Sequence, residues 1–471
     1  MPWPARNLAA FILAVIIAVP LNAEVSDEVL RQAAEFRDRA LEDSDAYRLV
    51  EQLSVEVGPR FAGTEGDRAA VAWAIETMRT IGFDTVRTQS VAVPRWERGT
   101  LEARIVAPFP QPLVALALGG SVGTREAGIT APVVRVETLA ELEALPDSDV
   151  TGRIVFIDAL TRRSRDATGY VETLPSRSAG PAAASRKGAV AAVVRSVGTS
   201  TSRLAHTGST SFPEDVTPIP AAALSPADAD LLAAQIRTGK TVRMFLKMSS
   251  RSLPDGISAN VIGEIRGTRA ANEIVLLGAH LDSWDIGTGA VDDGTGVAIV
   301  LEAARLIIAS GQRPERTLRV VLFANEEFGL TGARAYAEAA AAEAARHVLG
   351  MESDLGGGRV WRLDSGVGES GLAAVAVMAE LTAPIGAPAG NNRALGGADL
   401  KYLREAGMPV LAPRHDASRY FDVHHTIADT VDKVNAFELR QSVAVFLTTA
   451  WVAANSSTDF GRFPGALPQT P

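Results

Sequence analysis

From residue 254 onward the chain alternates between two kinds of apolar segment, and this alternation restricts the fold more than any other feature. Residues 260–264, 274–279 and 318–323 are apolar, β-branched runs of buried-strand length. Residues 296–308 and 332–347 are apolar or Ala-rich over helical lengths. Strand, helix, strand, helix is the pattern of a parallel sheet covered on both faces. The expected class is α/β, with a mixed, largely parallel sheet flanked by helices. Upstream, Val71, Ile75 and Met78 recur at helical spacing in 67–82, Gly82 supplies a stop, and a β-type stretch runs to Val93. Asn435, with Glu438 three residues on, reads as the cap of a last helix.

A chain of 471 residues is too long for one ordinary domain. Between 120 and 252 its character changes: GRIVFID and AVAAVVRSV look like short buried strands, separated by Arg, Ser, Thr, Gly and Ala. We expect a main domain in two parts, 24–119 and 253–455, interrupted by an insert at 120–252 and followed by a loose tail at 456–471. The N-terminus carries Arg6, an apolar run from Asn7 to Val19, and Leu21-Asn22-Ala23 as a cleavage site. That run is shorter than the roughly 20 residues a membrane span needs. A signal peptide at 1–23 and a periplasmic or secreted mature protein with no stable span are expected. A net charge of -9 argues against general nucleic-acid binding. The chain has no cysteine, so disulfides and thiolate metal sites are excluded and any metal must be held by nitrogen and oxygen.

Chemistry-bearing residues follow the expected strands. His280 (in HLDSWD) follows 274–279, Glu326 and Glu327 (NEEFG) follow 318–323, and Asp354 (MESDLGG) follows a short run near 348–351. Asp292 lies in VDDGTG and His425 in HHTIADT. In open α/β sheets, sites form at the carboxyl ends of strands, so residues far apart in sequence converge there. His280, Asp292, Glu327, Asp354 and His425 make a full ligand set for two zinc ions sharing one carboxylate, and such a pair hydrolyses amide bonds. Each residue also has a bland reading. A lone His after a strand is usually a hydrogen-bonded core residue, but the acids around His280 reverse those odds. Asp293 fits a solvated acidic turn better than Asp292 does. Glu326 and Glu327 cannot point the same way on a regular strand, so one can bind metal while the other reaches the attacking water. Asp282 can accept the second ring N–H of His280, and Asp429 can support His425. His424 reads equally well as a donor to a developing oxyanion and as a rim residue without a role.

Other patterns are discounted. Gly366, Gly368 and Gly371 match the dinucleotide glycine spacing, but the acidic residue expected downstream is missing. Gly239-Lys240-Thr241 lacks the first glycine of a phosphate loop. The arginines between 162 and 203 read as a solvated face, and His206, His347 and His415 have no ligand-like setting.

With these motifs in view, the chain resembles the co-catalytic zinc exopeptidases of the aminopeptidase and glutamate carboxypeptidase group, in particular its carboxypeptidase Q branch. GAHLDSWDIGTGAVDDGTG, RPERTLRVVLFANEEFG, MESDLGG and HHTIADT carry the resemblance. It runs from about Asp45 to the last helix and includes AHTG at 205–208; the stretch 391–399 (NNRALGGAD) departs from it. The resemblance implies a zinc exopeptidase fold with a protease-associated insert. It implies two zincs, with Asp292 bridging, His280 and Asp354 on one ion, and Glu327 and His425 on the other. It also implies Glu326 as general base, Asp282 orienting His280, a cis Asp292–Asp293 peptide, small peptide substrates and a homodimer. Rival readings are a one-zinc glutaminyl cyclase-like acyltransferase, an aminopeptidase acting on longer peptides, and a non-catalytic receptor-like binding protein.

Overall fold

The computed structural model describes residues 25–463, so the expected signal peptide and the last part of the expected tail lie outside the described residues. Among the described residues the strands form two sheets. The seven-stranded sheet runs in the order Thr85–Glu97, Arg251–Ile265, Arg316–Phe323, Ala270–His280, His347–Glu352, Val410–His415 and Val360–Gly366. Its four central strands are parallel, and the outer pairings are antiparallel.

Side chains alternate between the two faces of a strand. In Ala270–His280, Val275, Leu277 and Ala279 enter one core with residues of the helices Thr295–Ala309 and Ala436–Asn455. Ile274 and Leu276 enter another with Ala333, Tyr336 and Leu403. Both faces are buried, which is why the strand reads as an unbroken apolar run. Helix Glu65–Ile81 stops at Gly82, whose φ of 97° is left-handed. Asn435 accepts from the Phe437 and Glu438 amides and starts the last helix. The Ala-rich stretch 332–347 is less helical than expected. Its helix is Thr331–Ala339, a 3-10 turn follows at Ala341–Arg346, and His347 already pairs with Ile274 in the sheet.

The eight-stranded sheet holds the insert. Its parallel strands Ile129–Val136, Ile154–Ile157, Ala191–Arg195 and Ala221–Leu224 lie side by side. It begins earlier than the expected boundary at 120, because Leu101–Ala107 pairs with Arg243–Met248, the strand on which the chain returns. That boundary is set by hydrogen-bond pairing and leaves no mark in composition.

Residues 456–463 correct the expectation of a loose tail. Phe460 is buried, Arg316 Nη2 donates to the Thr458 carbonyl at 2.9 Å, and Gly461 lies close against Gly368. The glycine here permits close approach of two backbones at a φ of 71°. Among the described residues, no helix is long and apolar enough to cross a membrane.

Candidate metal centre

The carboxyl ends of three central strands and the loops beside them bring the expected residues together. His280 ends its strand, Glu326 and Glu327 follow Arg316–Phe323, and Asp354 follows His347–Glu352. His280 Nε2 stands 3.2 Å from Asp292 Oδ1 and 3.5 Å from Asp354 Oδ1. On the other side, His425 Nε2 stands 3.3 Å from Asp292 Oδ2 and 2.9 Å from Glu327 Oε2. Asp292 thus turns one oxygen to each histidine. Its peptide bond to Asp293 is cis.

Among the described residues, two groups bring their potential ligand atoms within 4.8 Å of one another: His280, Asp292 and Asp354 form one, and Asp292, His424 and His425 the other. The second group contains His424, whose Nε2 is 3.6 Å from Asp292 Oδ2 and whose ring stacks on His425 at 3.5 Å. Sequence reasoning gave His424 only an oxyanion or rim role, and its position brings it close to the ligand set.

The supporting contacts differ from the sequence reading in three places. The Nδ1 of His280 donates to the Asp282 backbone carbonyl at 3.0 Å, while the Asp282 carboxylate is 3.8 Å away. That carboxylate instead accepts from the Glu326 and Glu327 amides at 2.9 and 3.4 Å. Asp429 accepts from the Val291 and Asp292 amides at 2.6 and 3.2 Å, so it holds the bridge candidate rather than His425. Asp293 is not solvated. It is buried, accepts from the His280 amide at 3.2 Å, and caps the following helix through Gly296 N at 3.0 Å. In each case a short acidic side chain finds nearby backbone N–H groups, a pairing that side-chain spacing does not reveal.

Electrostatics set the site apart. Burial, then mutual repulsion, pushes the carboxyls of Glu326, Asp293 and Asp354 above the usual range. Asp429 is pushed up to about 7 by burial and by Asp292. Against its own burial, Asp292 is held well below the carboxylate range by the imidazoles of His280 and His425, which face its two oxygens. The reverse holds for His425, raised to about 9 against its burial by Glu327 and Asp292. Burial pushes the His424 imidazole well down. The histidines outside the ligand set, His206, His347 and His415, are pushed down to about 4, again by burial. Among the described residues, Asp292 Oδ2 and Glu327 Oε1 are buried without a hydrogen-bond partner. Crowded carboxylates of this kind are neutralised by a divalent cation. A His and carboxylate donor set with unpaired inward oxygens fits zinc.

Several contributing residues carry no motif. Arg60 is fully buried and donates to the carbonyls of Leu281, Thr288 and Gly289 at 2.5, 2.7 and 2.8 Å, which fixes the loop between His280 and Asp292. The expected solvated arginine face is only partly one. Arg177 and Arg195 are buried, and Arg163 and Arg165 pair with Asp422 and Asp416 beside the HHTIADT segment. Asp399, in the divergent stretch 391–399, is buried with both carboxylate oxygens unpartnered. Trp284 packs against His425 at 5.6 Å and forms an aromatic wall with Phe61 and Phe328.

Comparison with known proteins gives a consistent result. Residues 260–450 match the model of peptidase family M28. Carboxypeptidase Q of Rattus norvegicus is 34% identical over 87% of this chain and 85% of its own length. The crystal structure of a peptidase M28 precursor from Shewanella amazonensis superposes with a TM-score of 0.92 at 47% identity, covering 93% of this chain and all of that one. A zinc aminopeptidase from Bacillus subtilis shares the fold at a TM-score of 0.63 and 22% identity, over 88% of this chain and 97% of its own.

Proposed function

The chain belongs to peptidase family M28, and on that premise we propose that it is a two-zinc exopeptidase acting on small peptides, dipeptides among them. The observation that carries this reading is the posture of Asp292, one oxygen 3.2 Å from His280 and the other 3.3 Å from His425. His280 and Asp354 would hold one ion, Glu327 and His425 the other, and Asp292 would serve both. Bound zinc supplies a water of lowered pKa and polarises the scissile carbonyl. Glu326 accepts the proton of the attacking water and returns it to the leaving amine. His424, whose Nε2 lies 3.6 Å from Asp292 Oδ2, donates to the developing oxyanion. Asp282, through the Glu326 and Glu327 amides, keeps the two acids in their separate roles.

The test is release of free amino acids from a dipeptide panel, run with metal analysis of the same preparation. About two zincs per chain with water-dependent cleavage support the reading. One zinc with intramolecular cyclisation points to the acyltransferase alternative, and metal binding without turnover points to a receptor-like protein.

A further inference from the structure

Segment 205–208 (AHTG) belongs to the insert, yet its polar groups are directed at the 424–425 pair of the main domain. The Thr207 amide donates to the His425 carbonyl at 2.9 Å. The Thr207 carbonyl, in return, lies 3.3 Å from His425 Nδ1. His206 Nδ1 donates to the His424 carbonyl at 2.8 Å. Arg177, also from the insert, donates to the Thr207 carbonyl at 3.2 Å and so orients it; its Nη1, 3.4 Å from His425 Nδ1, could only donate there and competes with the Thr207 carbonyl for that nitrogen. Two glycines make the fit possible. A Cβ at Gly208 would lie 2.3 Å from the Arg177 guanidinium, and one at Gly198 would lie 2.4 Å from the His206 ring.

What this segment holds is unusual. His425 sits at a φ of 59°, a left-handed conformation that a residue with a side chain keeps only where its surroundings impose it. An imidazole that gives its Nδ1–H to a carbonyl presents Nε2 as the free ligand atom, and such partners fix ring orientation and tautomer. Here Nε2 faces Asp292 and Glu327 at 3.3 and 2.9 Å. A domain that merely covered the site would touch it through side-chain surfaces. This one pairs with the backbone of the ligand-bearing segment and with the second ring nitrogen of the ligand.

We propose that segment 205–208 is a positioning element for the metal held by His425: the insert sets the ligand's tautomer and backbone, and affinity at that one position depends on it. The inference rests on the two-metal reading above. Loss of a partner that orients a metal-bound imidazole weakens metal binding by roughly 10–100-fold.

The full chain, stripped with a chelator and titrated with zinc by calorimetry, tests this. Wild type shows two ions per chain; fewer than two counts against the two-metal reading itself, before any variant is made. His206→Leu should weaken one ion about 10–100-fold and leave the other unchanged. His206→Asn, whose amide nitrogen can take the place of Nδ1, should restore it. Activity of the weakened variant should return to near wild-type kcat at saturating zinc. A His206→Leu protein that holds both ions at wild-type affinity, or that folds and loses both equally, overturns the proposal. In zinc-loaded wild type, 15N-histidine spectra should show His425 protonated at Nδ1. A ring bound through Nδ1 overturns the proposal even if every variant fails to fold.

Discussion

At the scale of single residues, adjacent acids divide the labour. Glu327→Gln should weaken one zinc and raise the metal concentration needed for activity. Glu326→Gln should keep both ions and near-normal substrate binding, with kcat lower by the roughly 10²–10⁴-fold typical of lost general acid–base catalysis. Metal analysis and steady-state kinetics on the pair decide it: a Glu326→Gln protein that loses zinc while Glu327→Gln keeps it reverses the assignment. Asp292→Ala should lose both ions, because its two oxygens face opposite histidines, whereas His425→Ala should lose one. Two zincs in purified Asp292→Ala would rule out the bridge. The residues brought together here were legible in the sequence: His280, Glu326, Glu327 and Asp354 follow strands, Asp292 sits in a pair of acids and His425 in a pair of histidines. The partners of Asp282, Asp429 and Asp293 were not, because backbone amides carry no sequence signature. The place of His424 was not legible either, since only the fold shows that its ring stacks on His425.

At the scale of elements, the strands and the last helix were readable from apolar runs and a capping residue, and their stability can be tested locally. Asn435 accepts two amides at the start of the helix Ala436–Asn455. Asn435→Ala should cost about 0.5–2 kcal/mol in denaturant unfolding without changing metal content. An unchanged midpoint would show the cap to be redundant. The packed segment 456–463 escaped prediction because Ser, Gly and Pro usually mark loose chain, whereas here glycine permits contact and one aromatic fills the core. Phe460→Ala should therefore cost about 3–5 kcal/mol, the range for a fully buried aromatic. A loss below about 0.5 kcal/mol, the scale of ordinary surface substitutions, would mean that the segment does not contribute as drawn. The insert boundary was missed for a related reason: the strand at Leu101–Ala107 belongs to its sheet through a partner far away in sequence.

At the scale of the whole molecule, the site ties together several strand ends and loops of the seven-stranded sheet, so metal should act on global stability, with a pH dependence of definite sign. In the chelated protein a carboxyl raised from 3.8 to about 7, as in Asp429, contributes stability that is fully present below 3.8 and lost as the pH rises through 7. The raised carboxyls of Glu326, Glu327 and Asp354 act in the same direction. Asp292, whose pKa is depressed, acts in the opposite one, losing its contribution as the pH falls. Zinc requires deprotonated ligands, so binding must displace the carboxyl protons at low pH and, up to pH 8, also the proton of His425, raised to about 9; competition falls steadily as the pH rises. The buried, neutral His347 and His415 are outside the ligand set and owe their shifts to groups other than the ligands, so they cancel in the difference. The rise in unfolding midpoint produced by saturating zinc over chelator should therefore be small near pH 5 and grow towards pH 7–8. At zinc 100-fold above its dissociation constant, each site should add about 2.7 kcal/mol. Paired thermal scans across that range check it. An increment of equal size at pH 5 and pH 8 would mean that these buried acids are not the groups zinc neutralises, and the ligand set would have to be sought elsewhere in the cleft.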